Sequence, residues 1–247
     1  LNNKFVRLIS RFGAVMFIST FLLGVLGGCM YPRESRPGNQ VSYRESVNRL
    51  QLAVDQFQKD QGILPILNAD ESTPRFEKFR IDLDKLNKTG YIDEIPATAF
   101  EQGGSAYFLI LDEETKPVVK VMELTTVQKV NDIQRAVDKY KSSHQGKLPV
   151  GQELYPGIYS IDLMAINSES LAWTSFYSGQ TSDYLLDPRG QVYVDYALDI
   201  MQAVEKSGVT PKADTDLRSL LLEHSYFVPV KSLPYHWQNK QPVAVSQ

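Results

Sequence analysis

Apolar residues recur at i, i+3, i+7 and i+10 in two places along the chain: Val47, Leu50, Val54 and Phe57, then Val130, Ile133, Val137 and Tyr140. That spacing lays one apolar face along an α-helix. Aligned, Val47–Phe57 and Val130–Tyr140 are identical at six of eleven positions, with Leu/Ile and Phe/Tyr exchanges at two more. Ser42 or Ser46 is placed to cap the first helix and Thr125 or Thr126 the second. Each helix then meets the same stop, Gly62-Ile63-Leu64-Pro65 and Gly146-Lys147-Leu148-Pro149. A glycine just past a helix can turn left-handed, and a proline soon after cannot continue it. A third, shorter copy starts at Ala197: Asp199–Glu205 matches Asp132–Asp138 in type, and Gly208-Val209-Thr210-Pro211 ends it. After each stop comes an echo, Ile81-Asp82-Leu83, Ile161-Asp162-Leu163 and Thr215-Asp216-Leu217, whose aspartates suit a helix cap or a turn.

Between the helices the period changes. Ala106–Leu111 is a continuous apolar run and predicts a buried strand, Asp112–Pro117 a turn, and Val118–Leu124 a returning strand. Tyr184–Leu186 leads into Asp187-Pro188-Arg189-Gly190, a type I turn, and on to the alternating Gln191–Tyr196. Each unit therefore reads as helix, loop and hairpin, and the expected fold is α+β, a tandem array in one body. The units span residues 41–126, 127–195 and 196–247, the third shortened to Tyr226-Phe227-Val228-Pro229 and a polar tail. One helix and one hairpin cannot bury their apolar faces alone, so the units must pack on one another.

The N-terminus has a different character. Lys4, Arg7 and Arg11 are the only charges in residues 1–28, and an apolar run from Phe12 to Gly28 follows them, interrupted by Ser19 and Thr20. This is the n-region and h-region of an export signal. It ends in Leu26-Gly27-Gly28-Cys29, with the single cysteine of the chain at its foot. An aliphatic residue, two small residues and Cys resemble a bacterial lipobox. Signal peptidase recognition then falls on Leu26, Gly27 and Gly28, and Cys29 is the site of lipidation by a diacylglyceryl group. The rival readings are an uncleaved spanning helix, for which 17 apolar-run residues are short, and a plain secretory signal. Residues 29–40, with two prolines, a glycine and three charges, read as a tether.

Composition narrows the chemistry. At 247 residues, 43% hydrophobic and 22% charged, the chain is neither disordered nor a disulfide scaffold. A net charge of −3 gives no basic excess for nucleic acid. Removal of residues 1–28 leaves 23 basic and 29 acidic side chains, so lipid rather than surface charge is expected to hold the body on an anionic membrane. His144, His224 and His236 are too few and too scattered for a metal site, and neither phosphate-binding glycine loops nor a Gly-x-Ser-x-Gly elbow occur. No cofactor, metal or catalytic residue is expected. Aromatic Trp173, Phe176 and Tyr177 sit in a Ser/Thr/Gly-rich stretch and are the candidate binding patch.

Residues 44–112 resemble the heads of type IV pilins and pseudopilins, in the long helix, Gly-x-Leu-Pro, Leu83-Asp84-Lys85-Leu86 and Gly90-Tyr91-Ile92 ahead of Pro96. Asp187-Pro188-Arg189-Gly190 departs from their hairpin motif in having Arg189 where an aromatic stands. The lipobox replaces a prepilin cleavage site, so only the helix-plus-sheet shape carries over. The whole chain is similar to the YphF-type lipoproteins of Bacillus and its relatives, through the lipobox, Tyr31-Pro32 and the repeated helices. That resemblance implies a Gram-positive-type cell membrane with the protein anchored on its outer face. The expected function is a non-enzymatic binding or scaffolding module for an envelope protein or wall component. The alternative is the solute-binding lipoprotein of an ABC importer.

Overall fold

The computed structural model describes residues 37–246. The residues read as an export signal, those read as a lipobox (Leu26, Gly27, Gly28 and Cys29), and those read as a tether up to residue 36 lie outside the described residues. Residues 40–247 form one compact unit of mixed α+β structure, as expected.

Helix α1 (Pro37–Gln61) starts inside the segment read as tether. Ser42 and Ser46 are therefore helix-interior residues rather than caps. The Ser46 hydroxyl donates to the Ser42 carbonyl at 2.9 Å and meets Thr98 Oγ1 at 3.0 Å. The predicted apolar face is the buried one: Val47, Leu50, Val54 and Phe57 pack on β1 (Ala106–Leu111) and β2 (Val118–Glu123). These strands pair antiparallel from Ala106↔Glu123 to Leu111↔Val118. Between α1 and β1, Asp82 caps the short α2 (Leu83–Lys88) by accepting from the Lys85 amide at 2.9 Å.

Helix α3 (Leu124–Ser143) leaves β2 without a loop, and its cap is Glu123, not Thr125 or Thr126. The Glu123 carboxylate accepts from both threonine amides at 2.6 Å, satisfying two otherwise unpaired donors of the first turn. Two hairpins follow: β3 (Val150–Tyr155) with β4 (Ile158–Ile161), and β7 (Tyr184–Leu186) with β8 (Val192–Val194). Together they make a four-stranded sheet in the order β3-β4-β7-β8, and β5 (Trp173–Thr174) pairs separately with β6 (Thr181–Ser182).

The third unit is fuller than expected. After α4 (Ala197–Ser207) and α5 (Arg218–His224), the stretch read as a polar tail forms a hairpin of β9 (Tyr235–Gln238) and β10 (Gln241–Ala244). Tyr235 and Leu233 are wholly buried and join the core of the second unit. The chain also returns to its start. The Val121 amide donates to the Tyr226 carbonyl, and the Val228 amide to the Val121 carbonyl. Phe227 meets Tyr43 edge-on at 5.3 Å. The three units thus touch pairwise, while their strands stay in separate small sheets.

Local details recur from unit to unit. Gly62, Gly146 and Gly208 all take positive φ where their helices end. The Asp82 amide donates to the Pro65 carbonyl and the Asp162 amide to the Pro149 carbonyl, at 2.8 and 2.9 Å. The carboxylates of Asp162 and Asp216, like that of Asp82, accept from amides two or three residues on.

Candidate functional site

One concavity is built from all three units. One wall is the turn between β7 and β8. Its Gly190 amide donates to the Asp187 carbonyl at 2.9 Å, closing the predicted turn, with Gly190 at φ +90°. The Asp187 side chain is completely buried. It accepts from the amides of Arg189 and Gln191 at 3.0 and 2.8 Å and from Arg189 Nε at 2.9 Å. Arg189 is thereby fixed from below while 62% of its side chain remains exposed. From α3, Gln134 spans the same turn: Nε2 donates to the Gly190 carbonyl at 2.9 Å, and Oε1 accepts from the Val192 amide at 2.8 Å.

The opposite wall joins the first unit to the third. Glu77 and Lys231 pair at 2.8 Å, both largely shielded from water. Arg218 lies over the Phe76 ring at 5.0 Å, is held by both oxygens of Asp216, and donates to the Ser232 carbonyl at 3.2 Å. Burial alone would raise the Asp216 carboxyl, but the Arg218 guanidinium outweighs it and the net shift is downward. Arg75, 60% exposed, reaches Asp112 at 3.1 Å. The walls enclose an open groove of about 750 Å³, which Val192 and Tyr193 also line.

A second polar cluster is internal. Asp195 accepts from the hydroxyls of Tyr155 and Tyr235, each at 2.8 Å, and from the Ala197 amide at the start of α4. Asp199 is 3% exposed, and its Oδ1 has no hydrogen-bond partner among the described residues. Desolvation raises the carboxyls of Asp195, Asp199 and Glu123, against the hydrogen bonds that each accepts. These groups lie where one unit's hairpin feeds the next unit's helix, and their contacts join elements rather than line a cavity.

Of the three aromatic residues of the candidate binding patch, Trp173 belongs to the core, while Phe176 and Tyr177 are half-buried and pack against it. Trp173 is 1% exposed, and its Nε1 donates to Thr126 Oγ1 at 3.0 Å. Phe176 stacks obliquely on Phe227 at 5.4 Å, and the Tyr177 hydroxyl donates to the Phe227 carbonyl at 2.9 Å. They seal the seam between units because tertiary contacts, not the polar neighbours along the chain, decide their environment. His144 stacks on Tyr140 at 3.8 Å just past the end of α3, while His224 ends α5 and His236 lies in β9. Among the described residues, no group of three or more His, Cys, Asp or Glu converges to hold a metal ion, and no helix is long and apolar enough to cross a membrane.

The amino-acid pattern marks none of the groove's residues as a site, since its walls come from segments scattered between Ser72 and Ser232. One signal was present: Gln134 and Asp138 are among the six residues identical between the aligned helices. No curated protein matches the chain, and no solved structure does. The first unit, from Tyr43 on the buried face of α1 to the capping Glu123, is the segment that a family comparison selects: residues 43–123 match the N-terminal domain of the YphF family.

Proposed function

We propose that this chain is a lipoprotein of the cell envelope, cleaved after Leu26-Gly27-Gly28 and acylated at Cys29. Its lipid holds it on the outer face of the cell membrane. Its α+β body acts there without catalysis, as a binding or scaffolding module for an envelope protein or wall component. The observation that carries this reading is the position of the single cysteine, at the foot of a charged-then-apolar leader and behind an aliphatic and two small residues. A diacylglyceryl group supplies two chains, enough for stable anchoring.

Support for a binding module over an importer's solute-binding subunit comes from the architecture. Residues 40–247 are one compact unit, whereas that class closes two lobes on its ligand. The match to the YphF N-terminal domain agrees with the resemblance that suggested the envelope setting. Crosslinking on intact cells followed by purification of the chain tests the proposal. The expected result is repeated recovery of one envelope component with the membrane fraction. Recovery of a transporter permease alone would favour the importer reading, and recovery of nothing would count against both.

A further inference from the structure

The groove carries its own chemistry. Four cations line it, but they are not equivalent. Arg218 and Lys231 are 12% and 20% exposed and are taken up by Asp216, Ser232 and Glu77, so they build the wall. Arg75 and Arg189 are 60% and 62% exposed and face solvent from two different units. Arg189 is held through Nε and Nη2 by a carboxylate that is itself fully buried, so its guanidinium is presented as a fixed fork rather than a mobile charge. Asp112 and Asp187 cancel the charge of the two arginines at a distance. Recognition there depends on directed hydrogen bonds at short range, not on a long-range field.

We propose that this groove binds an oxyanion, phosphate or carboxylate, displayed on an extended polar ligand, with Arg75 and Arg189 as the contacting groups. The idea rests on the binding-module reading and gives that module a ligand class. Gln191 and Tyr193 line the same groove, and its volume of about 750 Å³ is far more than a free ion would fill. Asp138 lines the same groove and bonds Gln134 rather than a cation, so it opposes an anion seated nearby.

Calorimetric titration of the full chain in detergent tests this with three probes: a short inorganic polyphosphate, a short oligogalacturonate and neutral maltohexaose. Binding of one or both charged oligomers, and not of the neutral one, is expected, and the arm that binds identifies the oxyanion. Arg75→Ala and Arg189→Ala are each expected to weaken binding about tenfold, the loss of one charge-assisted hydrogen bond. Arg189→Lys, which keeps the charge and loses the fork, is expected to weaken it as well, and Asp138→Asn to strengthen it. Arg189→Ala leaves the buried Asp187 carboxylate without its cation and is expected to lower the denaturation midpoint, whereas Arg75→Ala is not; a single cooperative transition well above the titration temperature shows that each variant is folded. No binding by either charged oligomer, or binding indifferent to both arginines, would overturn the proposal. Acylation at Cys29 and crosslinked partners would survive that failure, so the two proposals fall separately.

Discussion

Gln134 accepts a hydrogen bond from the Val192 amide at 2.8 Å, and Gln51 accepts one from the Val119 amide at the same distance. The likeness extends further. Gln134 donates to the turn carbonyl of Gly190 and to Asp138 four residues on, and Gln51 donates to the carbonyl of Pro117 and to Asp55. In two units, then, one helical glutamine holds the hairpin by both edges of its amide, with an aspartate fixing its orientation. At the aligned position of α4 stands Met201, which cannot do this.

Gln51→Ala and Gln134→Ala each remove a donor and an acceptor while leaving backbone groups of the hairpin half-satisfied. Each is expected to cost about 1–3 kcal/mol, the range for losing a pair of such bonds. Urea denaturation should show a lower midpoint with an unchanged slope. A loss confined to one variant would deny that the two clasps are equivalent.

Gly190 is needed for two reasons at once. Its φ of +90° suits glycine, and a Cβ there would come within 2.9 Å of Leu148 Cδ2. Gly190→Ala should lower stability by about 1–3 kcal/mol, combining backbone strain with the displaced contact. Thermal unfolding of the variant beside Gly179→Ala, where no atom lies within 4 Å, separates the steric part from the strain.

Trp173 is predicted to matter for stability rather than recognition. Trp173→Phe keeps most of the packing but removes the indole donor to the Thr126 hydroxyl, at a cost of about 1–2 kcal/mol. Trp173→Ala opens a cavity and should cost about 3–5 kcal/mol. Denaturant titration measures both, and a midpoint unaffected by the alanine variant would contradict the burial.

The pH dependence follows from the buried acids. Asp195, Asp199 and Glu123 have folded pKa values raised by desolvation, so the folded chain binds more protons than the unfolded one. Their contribution to stability is present below the unfolded carboxyl pKa of about 4 and is lost as pH rises through the raised values. Asp216 is lowered and acts the other way, its contribution lost as pH falls through its folded pKa. Stability should therefore peak in mild acid. Asp199→Asn keeps a partner for Ser175 and Ser178 and removes the buried charge, so it should raise the Tm at neutral pH and flatten its decline from mild acid upward. An undiminished decline in that variant would place the effect on other groups.

Much of this was legible in the chain. The helical faces were, because burial follows the 3.6-residue period, and β1 spans the predicted apolar run from Ala106 to Leu111. The repeated aspartates were readable as caps and turns because their amide partners lie two or three residues away. What depends on distant segments was not. β9 and β10 are joined through Asn239 and Lys240, both at positive φ, without the glycine that usually marks such a turn, and their outer residues are polar. β3 has little buried surface and so no alternation to read. Gln51 and Asp55 were visibly identical to Gln134 and Asp138, but apolar periodicity gives no weight to polar positions. Trp173 sits among serines and threonines along the chain and among apolar side chains in space.

Mass spectrometry of the chain purified from membranes tests the envelope account most directly. The expected N-terminal peptide begins at Cys29 and carries the added mass of a diacylglyceryl group. An unmodified peptide running continuously from the leader through Gly28 and Cys29 would contradict it.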